Sequence, residues 1–256
     1  MIAHTKAFLR LKEESQSVFD FAIVVSYAVP ALKYSLKHLS EDTPIPFKPE
    51  HFDTRPIATA KVRENAKEYK KLLSRYVFLS SFSFFEAYFH DVLKEVINFH
   101  GKDGLKRQIS IDHNLALRSA SDTKAKRKLQ EYPKGTEKLK YEKYGRELAA
   151  KGFRFPSTLL SSYGLVKLIE LADGDYIPAS KIPELVENVF QLPLNEITEI
   201  KPFNTYREQR NKIAHGRASG ASLHLANSVK ANNFLRNFAL KIDRHVVDHF
   251  LLVEAI

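Results

Sequence analysis

The chain has 256 residues, 44% of them hydrophobic, which excludes a mainly disordered protein and allows one large domain or a domain with an extension. With 40 lysines and arginines against 30 acids, its net charge of +10 favours an anionic partner such as nucleic acid without fixing a fold. There is no cysteine, which excludes disulfides, thiolate metal sites and cysteine nucleophiles.

Residues 1–57 read as an N-terminal helical extension and a connector. Met1 to Glu14 mixes charges of both signs and lacks the apolar core of a secretion signal. Residues 5–39 have helical spacing, with Pro30 expected to bend or break the helix. The longest apolar run, Phe21 to Leu32, contains Ser26, Tyr27 and Pro30 and is too short to span a bilayer. The expectation is a cytoplasmic protein with no membrane segment. Pro44, Pro46, Pro49 and Pro56 then mark an extended connector.

Residues 58–256 read as a second, larger helical domain. A long helix is expected from about Ala58 to Phe99, with Leu72, Leu73, Tyr76, Leu79, Phe85, Tyr88, Val92, Val96 and Phe99 at helical steps. Its centre, Ser80 to Phe89, is aromatic on most sides and is expected to be buried on more than one face. Glu86 lies in that centre, where a lone carboxylate is costly, so it reads either as a boundary or salt-bridged position or as a partner of a motif arginine.

Residues 101–154 carry 15 lysines and arginines against 7 acids, a net of +8, interleaved with Tyr132, Tyr141 and Tyr144. Two readings stand: a solvated helical insertion that happens to be basic, or a phosphate-tracking surface with aromatics for base stacking. In the second, Lys124, Lys126, Arg127 and Lys128 contact RNA.

Core-like helices return over 156–191: one around Leu159, Leu160, Tyr163, Leu165, Val166 and Ile169, and a short one through Leu185, Val186, Val189 and Phe190. Ser180 and Pro183 open the second. Asn204 reads as the cap of a helix that starts near Thr205 and ends at Gly216. A last amphipathic helix runs from about Ser228 to Leu252, with Phe234, Leu235, Phe238, Ile242, Val246 and Phe250 on its buried face. Glycines number only 9 and strand-like alternation is scarce, so the fold class is all-α.

The helix before Gly216 holds the chemistry-bearing string Arg210-Asn-Lys-Ile-Ala-His215-Gly216. Its apolar seam runs Phe203, Tyr206, position 210, Ile213, so an arginine stands where an apolar residue belongs. Such an arginine calls for a carboxylate, a subunit interface or an anionic substrate. A guanidinium holds phosphate with a planar fork of donors, and an imidazole moves protons near neutral pH. Asn211 lies one turn before His215 and Arg207 one turn before Asn211, so the three share a stripe. The bland alternative is a satisfied arginine and a polar residue at a helix end.

The string from Phe203 to Gly216 resembles the HEPN superfamily signature, an arginine followed by four to six residues and a histidine, often as Arg-Asn-x-x-Ala-His-Gly. Ser81-Phe-Ser-Phe-Phe-Glu-Ala-Tyr-Phe-His90 is similar to the first core helix of HEPN proteins. The resemblance spans roughly residues 60–255 and points to two stand-alone bacterial groups, of which RiboL-PSP-HEPN is one. It implies a HEPN-like helical bundle that dimerises so that two motifs form one cleft. Active members are metal-independent endoribonucleases, often toxins or antiphage effectors, and others only bind. Carried over, Arg210 stabilises the transition state and His215 acts as general base or acid, with Asn211 as the polar residue after the motif arginine. Glu86 and Arg207 are supporting candidates, and RNA, a second subunit and a regulatory protein such as an antitoxin are the implied partners. Arg217 stands where some HEPN toxins carry the tyrosine of His-x-Tyr, so an adenylylation switch there is not implied. The extension and the basic insertion lie outside the core pattern.

His245 and His249 are one turn apart, but no third ligand accompanies them, so no metal site is expected. No phosphate-binding glycine loop, dinucleotide fingerprint or serine elbow occurs, and no cofactor is expected.

Overall fold

A computed structural model describes residues 3–41, 45, 59–100, 177–188, 190, 192–216 and 223–251. The fold is all-α, with five α-helices and no strand among these residues. The helices are α1 (Lys6–Leu36), α2 (Thr59–His100), α3 (Ile182–Asn188), α4 (Lys201–Ala214) and α5 (Leu225–Phe250). The segment around Leu159 to Ile169, Val189 and the basic stretch 101–154 lie outside the described residues.

The chain divides into two compact units. The first comprises Met1–Leu11, Phe85–Arg207 and Arg236–Ile256; the second comprises Lys12–Phe84 and Glu208–Leu235.

The first unit is built on rings. Phe85 stacks on Phe238 at 5.6 Å and 15°, and Phe203 closes the triangle at 5.7 and 5.8 Å. None of the three exposes more than 3% of its surface. Phe190 packs edge-on against Phe89 and Phe250. Such pairs add about 0.5–1.5 kcal/mol each beyond the area they bury. The Tyr88 hydroxyl donates to the Ala239 carbonyl at 2.9 Å, which satisfies the one polar atom of a buried ring. Burial, followed by the charges of Asp243 and Glu95, raises the Tyr88 phenol well above its ordinary pKa.

The start of α1 is fastened by carboxylates from two other helices. Asp243, fully buried on α5, accepts from the Thr5 amide at 3.0 Å and the Thr5 hydroxyl at 2.6 Å. His4 Nδ1 lies 2.7 Å from its other oxygen. Glu95 on α2 accepts from the amides of Lys6 and Ala7, and Thr5 Oγ1 accepts from Phe8 N. Groups that a helix leaves unsatisfied at its N-terminus are thus paired, by negative charge that also suits the helix dipole.

In the second unit Ala22 of α1 packs on Leu73 and Val77 of α2, with Val18, Phe19, Val25 and Leu225 around them. Arg63 donates to the Leu36 and Leu39 carbonyls and so caps the C-terminus of α1. Ser228 Oγ donates to Ser74 O at 2.7 Å, tying α5 to α2. α1 runs through Pro30 as one helix. The carbonyl that loses its N–H partner to this proline belongs to Ser26, which is exposed, so water can satisfy it.

Three expectations need correction. Ser83 and Ala87 are exposed, so the aromatic centre of α2 buries one broad face, not several. Leu72, Tyr76 and Phe99, expected in its apolar stripe, are 43%, 66% and 40% exposed. α4 is not capped by Asn204, which lies inside it; a π-type turn over Glu196–Ile200 leads straight into α4. The cap is Asn195, whose side chain accepts from Ile197 N and Thr198 N at 2.9 Å. Pro202 sits in the first turn of α4, where a missing N–H is tolerated.

Candidate functional site

α4 carries the motif, and both its ends are held. At the start, Glu199 accepts from Asn195 N at 2.7 Å and takes both its oxygens to Lys241 Nζ at 2.7 and 2.8 Å. At the end, His215 N donates to Asn211 O and Gly216 N to Ile213 O. Gly216 has φ 67°, the left-handed conformation that ends a helix and that a side chain disfavours. The motif therefore occupies the last turn of a helix with a defined stop, as its sequence suggests.

Along that helix Phe203 is buried, Tyr206, Arg207, Arg210, Asn211 and Ile213 are half-buried, and His215 is exposed. Arg210 does lie on the seam. Its Nη1 donates to Asn211 Oδ1 at 3.1 Å, and its guanidinium sits 5.9 Å from the centre of the Phe82 ring. A guanidinium over a ring face gains about 0.5–1 kcal/mol, more when desolvated. The aromatic segment of α2 thus supplies a platform for the motif arginine. Phe82 was not singled out from sequence; the signal available was an aromatic run joined to an arginine on an apolar seam.

The structure brings Arg210 and Asn211 into direct contact and sets His215 one helical turn beyond Asn211, at the solvent-facing helix end. These three belong to the second unit, whereas Arg207 and Glu86 belong to the first. Glu86 is half-buried on α2. Lys124, Lys126, Arg127 and Lys128 lie outside the described residues.

The second histidine pair lines a cleft of about 500 Å³ in the first unit, with Lys241 and Arg244. The rings of His245 and His249 are 4.5 Å apart, and His245 Nε2 donates to the Phe190 carbonyl at 2.7 Å. Burial lowers the His245 pKa; His249 and Lys241 add to this, and the Phe190 bond opposes it. Among the described residues no group of three or more His, Asp or Glu side chains is placed to hold a metal ion.

What the motif can do follows from its parts. A guanidinium held by an amide and a ring is pre-set to meet a phosphate. An exposed imidazole at a helix end can accept or give a proton. No curated protein and no solved structure matches the chain. A family model does match, described as RiboL-PSP-HEPN, over residues 55–248, which takes in α2 to most of α5 and leaves α1 outside. Of the two groups the motif resembles, this is the one matched. With about three quarters of its length covered by that model, the chain belongs to the RiboL-PSP-HEPN family of HEPN proteins.

Proposed function

We propose that the chain is a metal-independent endoribonuclease that acts as a homodimer in the bacterial cytoplasm, in defence or under an antitoxin. HEPN domains are often ribonucleases, and family membership supports a nuclease or an RNA-binding module. The observation that carries the finer reading is Arg210. It is held by Asn211 and Phe82 on the helix whose end presents an exposed His215.

In this reading His215 takes the proton of a ribose 2′-hydroxyl, and the 2′-oxygen attacks the adjacent phosphorus. Arg210 stabilises the charge that builds on the phosphoryl oxygens. The bond from phosphorus to the 5′-oxygen breaks, and that oxygen takes a proton from the second subunit's motif histidine or from water. The products are a 2′,3′-cyclic phosphate and a 5′-hydroxyl, with no water consumed. DNA lacks the attacking group and is spared. Asn211 fixes the guanidinium, and the basic stretch with Lys124, Lys126, Arg127 and Lys128 tracks the RNA backbone.

The same contacts also favour a second reading. An arginine bonded to an amide and stacked on a ring is a satisfied structural group, as a non-catalytic binding module would need. Incubating wild type and His215→Ala with mixed cellular RNA in EDTA separates the two. Cleavage by wild type alone, leaving cyclic-phosphate ends, is expected. RNA binding without cleavage by either protein would move the assignment to the binding module.

A further inference from the structure

The outer face of α1 has a composition that solvent alone does not explain. From Ser15 to Leu32 the only charged residue is Asp20. The inner face, through Ala22, Val18 and Val25, packs on Leu73 and Val77. On the outer face Phe21 is 60% exposed, Ile23 55%, Val24 62%, Tyr27 77% and Tyr34 73%. Ala28 and Ala31 lie exposed between them. On ideal helix geometry these residues cover an arc of roughly 160°. A helix that is apolar on both sides is normally covered on both.

We infer that this face is a self-association surface, on which α1 of a second copy of the chain packs antiparallel about a twofold axis passing between Tyr27 and Ala28. Three observations select a second copy. The first is register: turning the helix about that point sets Phe21 opposite Tyr34, Val24 opposite Ala31 and Tyr27 opposite Ala28. That gives one aromatic pair and two large-on-small pairs on each side of the axis, the self-complementarity that an isologous contact needs. The second is charge. Two copies at +10 each repel, and this stretch lets them meet without opposing lysines or arginines. The third is area. Three aromatics that bring ~150–250 Å² each, exposed by 60–77%, leave on the order of 300–500 Å². Ile23, Val24, Ala28 and Ala31 extend this towards the ~800 Å² that one partner gives to a standard interface.

A lipid bilayer is the competing occupant. By length and composition α1 is long and apolar enough to cross a membrane. Counting only from Phe21 to Leu32 understates it, because the helix extends through the flanks of that run. However, spanning would strip Ala22 from Leu73 and Val77, and the Leu36 carbonyl from Arg63.

The inference concerns the homodimer invoked above but does not depend on RNA cleavage, because its readout is mass. Sedimentation at tens of micromolar should give a dimer for wild type and for His215→Ala. Val24→Glu and Tyr27→Glu should be folded monomers that keep the wild-type helix content, with a melting temperature no longer dependent on protein concentration. The chain has no cysteine, so Ala28→Cys adds a single thiol beside the axis, and oxidation should link two chains. Ser17→Cys, about 30 Å from its mate in this register, should not link. A monomeric wild type, dimeric glutamate variants, or equal linking by both cysteine variants would overturn the assignment. So would a wild type that is monomeric in solution and binds vesicles of phosphatidylcholine and phosphatidylglycerol.

Discussion

Phe85 and Phe82 are less than one helical turn apart on α2, and the two units use them differently. Phe85 closes a ring triangle with Phe203 and Phe238 in which every surface is covered. Phe82 presents its face to the guanidinium of Arg210, on a helix whose next turn reaches solvent at His215. The same residue type serves cohesion in one unit and the positioning of a charge in the other. Energy of folding should therefore concentrate in the first and chemistry in the second, and substitutions should separate the two.

The largest effect on folding is expected from Phe85→Ala. Emptying the triangle should cost ~3–5 kcal/mol, read as a shift of the denaturation midpoint. A cost under 1 kcal/mol would mean that the aromatic centre is not the cohesive core. Arg210→Ala should do the reverse. RNA cleavage is expected to drop by ~10²–10³-fold, as when a transition-state donor is removed, with little change in melting temperature. A large loss of stability with unchanged cleavage would make Arg210 a structural residue and undo the contrast.

Asp243→Ala tests the fastening of α1 within the first unit. It strips acceptors from the Thr5 amide and hydroxyl, and a loss of ~1–3 kcal/mol is expected with faster hydrogen exchange at the start of α1. Exchange unchanged at Thr5 would show that the carboxylate does not hold the helix. The Phe82–Arg210 contact should appear as a coupling of ~0.5–1 kcal/mol in a double-mutant cycle of Phe82→Leu with Arg210→Met. A coupling near zero would reduce Phe82 to packing.

The smallest effect concerns pH. The His245 pKa is lower in the folded chain than its ordinary value, so the unfolded chain binds more protons between the two values. Its contribution is complete above the unfolded pKa of about 6.5 and declines as pH falls towards the folded value. His245→Gln should flatten this part of the stability profile. An unchanged slope would place the acid sensitivity elsewhere.

Much of the fold is legible residue by residue. Helical spacing places α2 within a residue or two at each end, because its apolar steps persist and no proline interrupts them. Gly216 marks the end of α4 because a left-handed stop needs a residue without a side chain. The start of α4 is less readable: Asn204 and Asn195 are both good caps, and a wide turn lets the helix run through Pro202. Of the site, the string from Arg210 to His215 is visible in one dimension, as is the oddity of an arginine on an apolar seam.

The sequence alone determined an all-helical chain, the motif and its placement at a helix end, since spacing, caps and stops are local properties. Only the tertiary structure decided that Phe82 lies under Arg210 and that Asp243 and Glu95 hold the start of α1. Only it decided that, among the described residues, the outer face of α1 is exposed while its inner face is packed. Those facts join residues up to 239 positions apart, and neither helical period nor capping preference carries information over that distance.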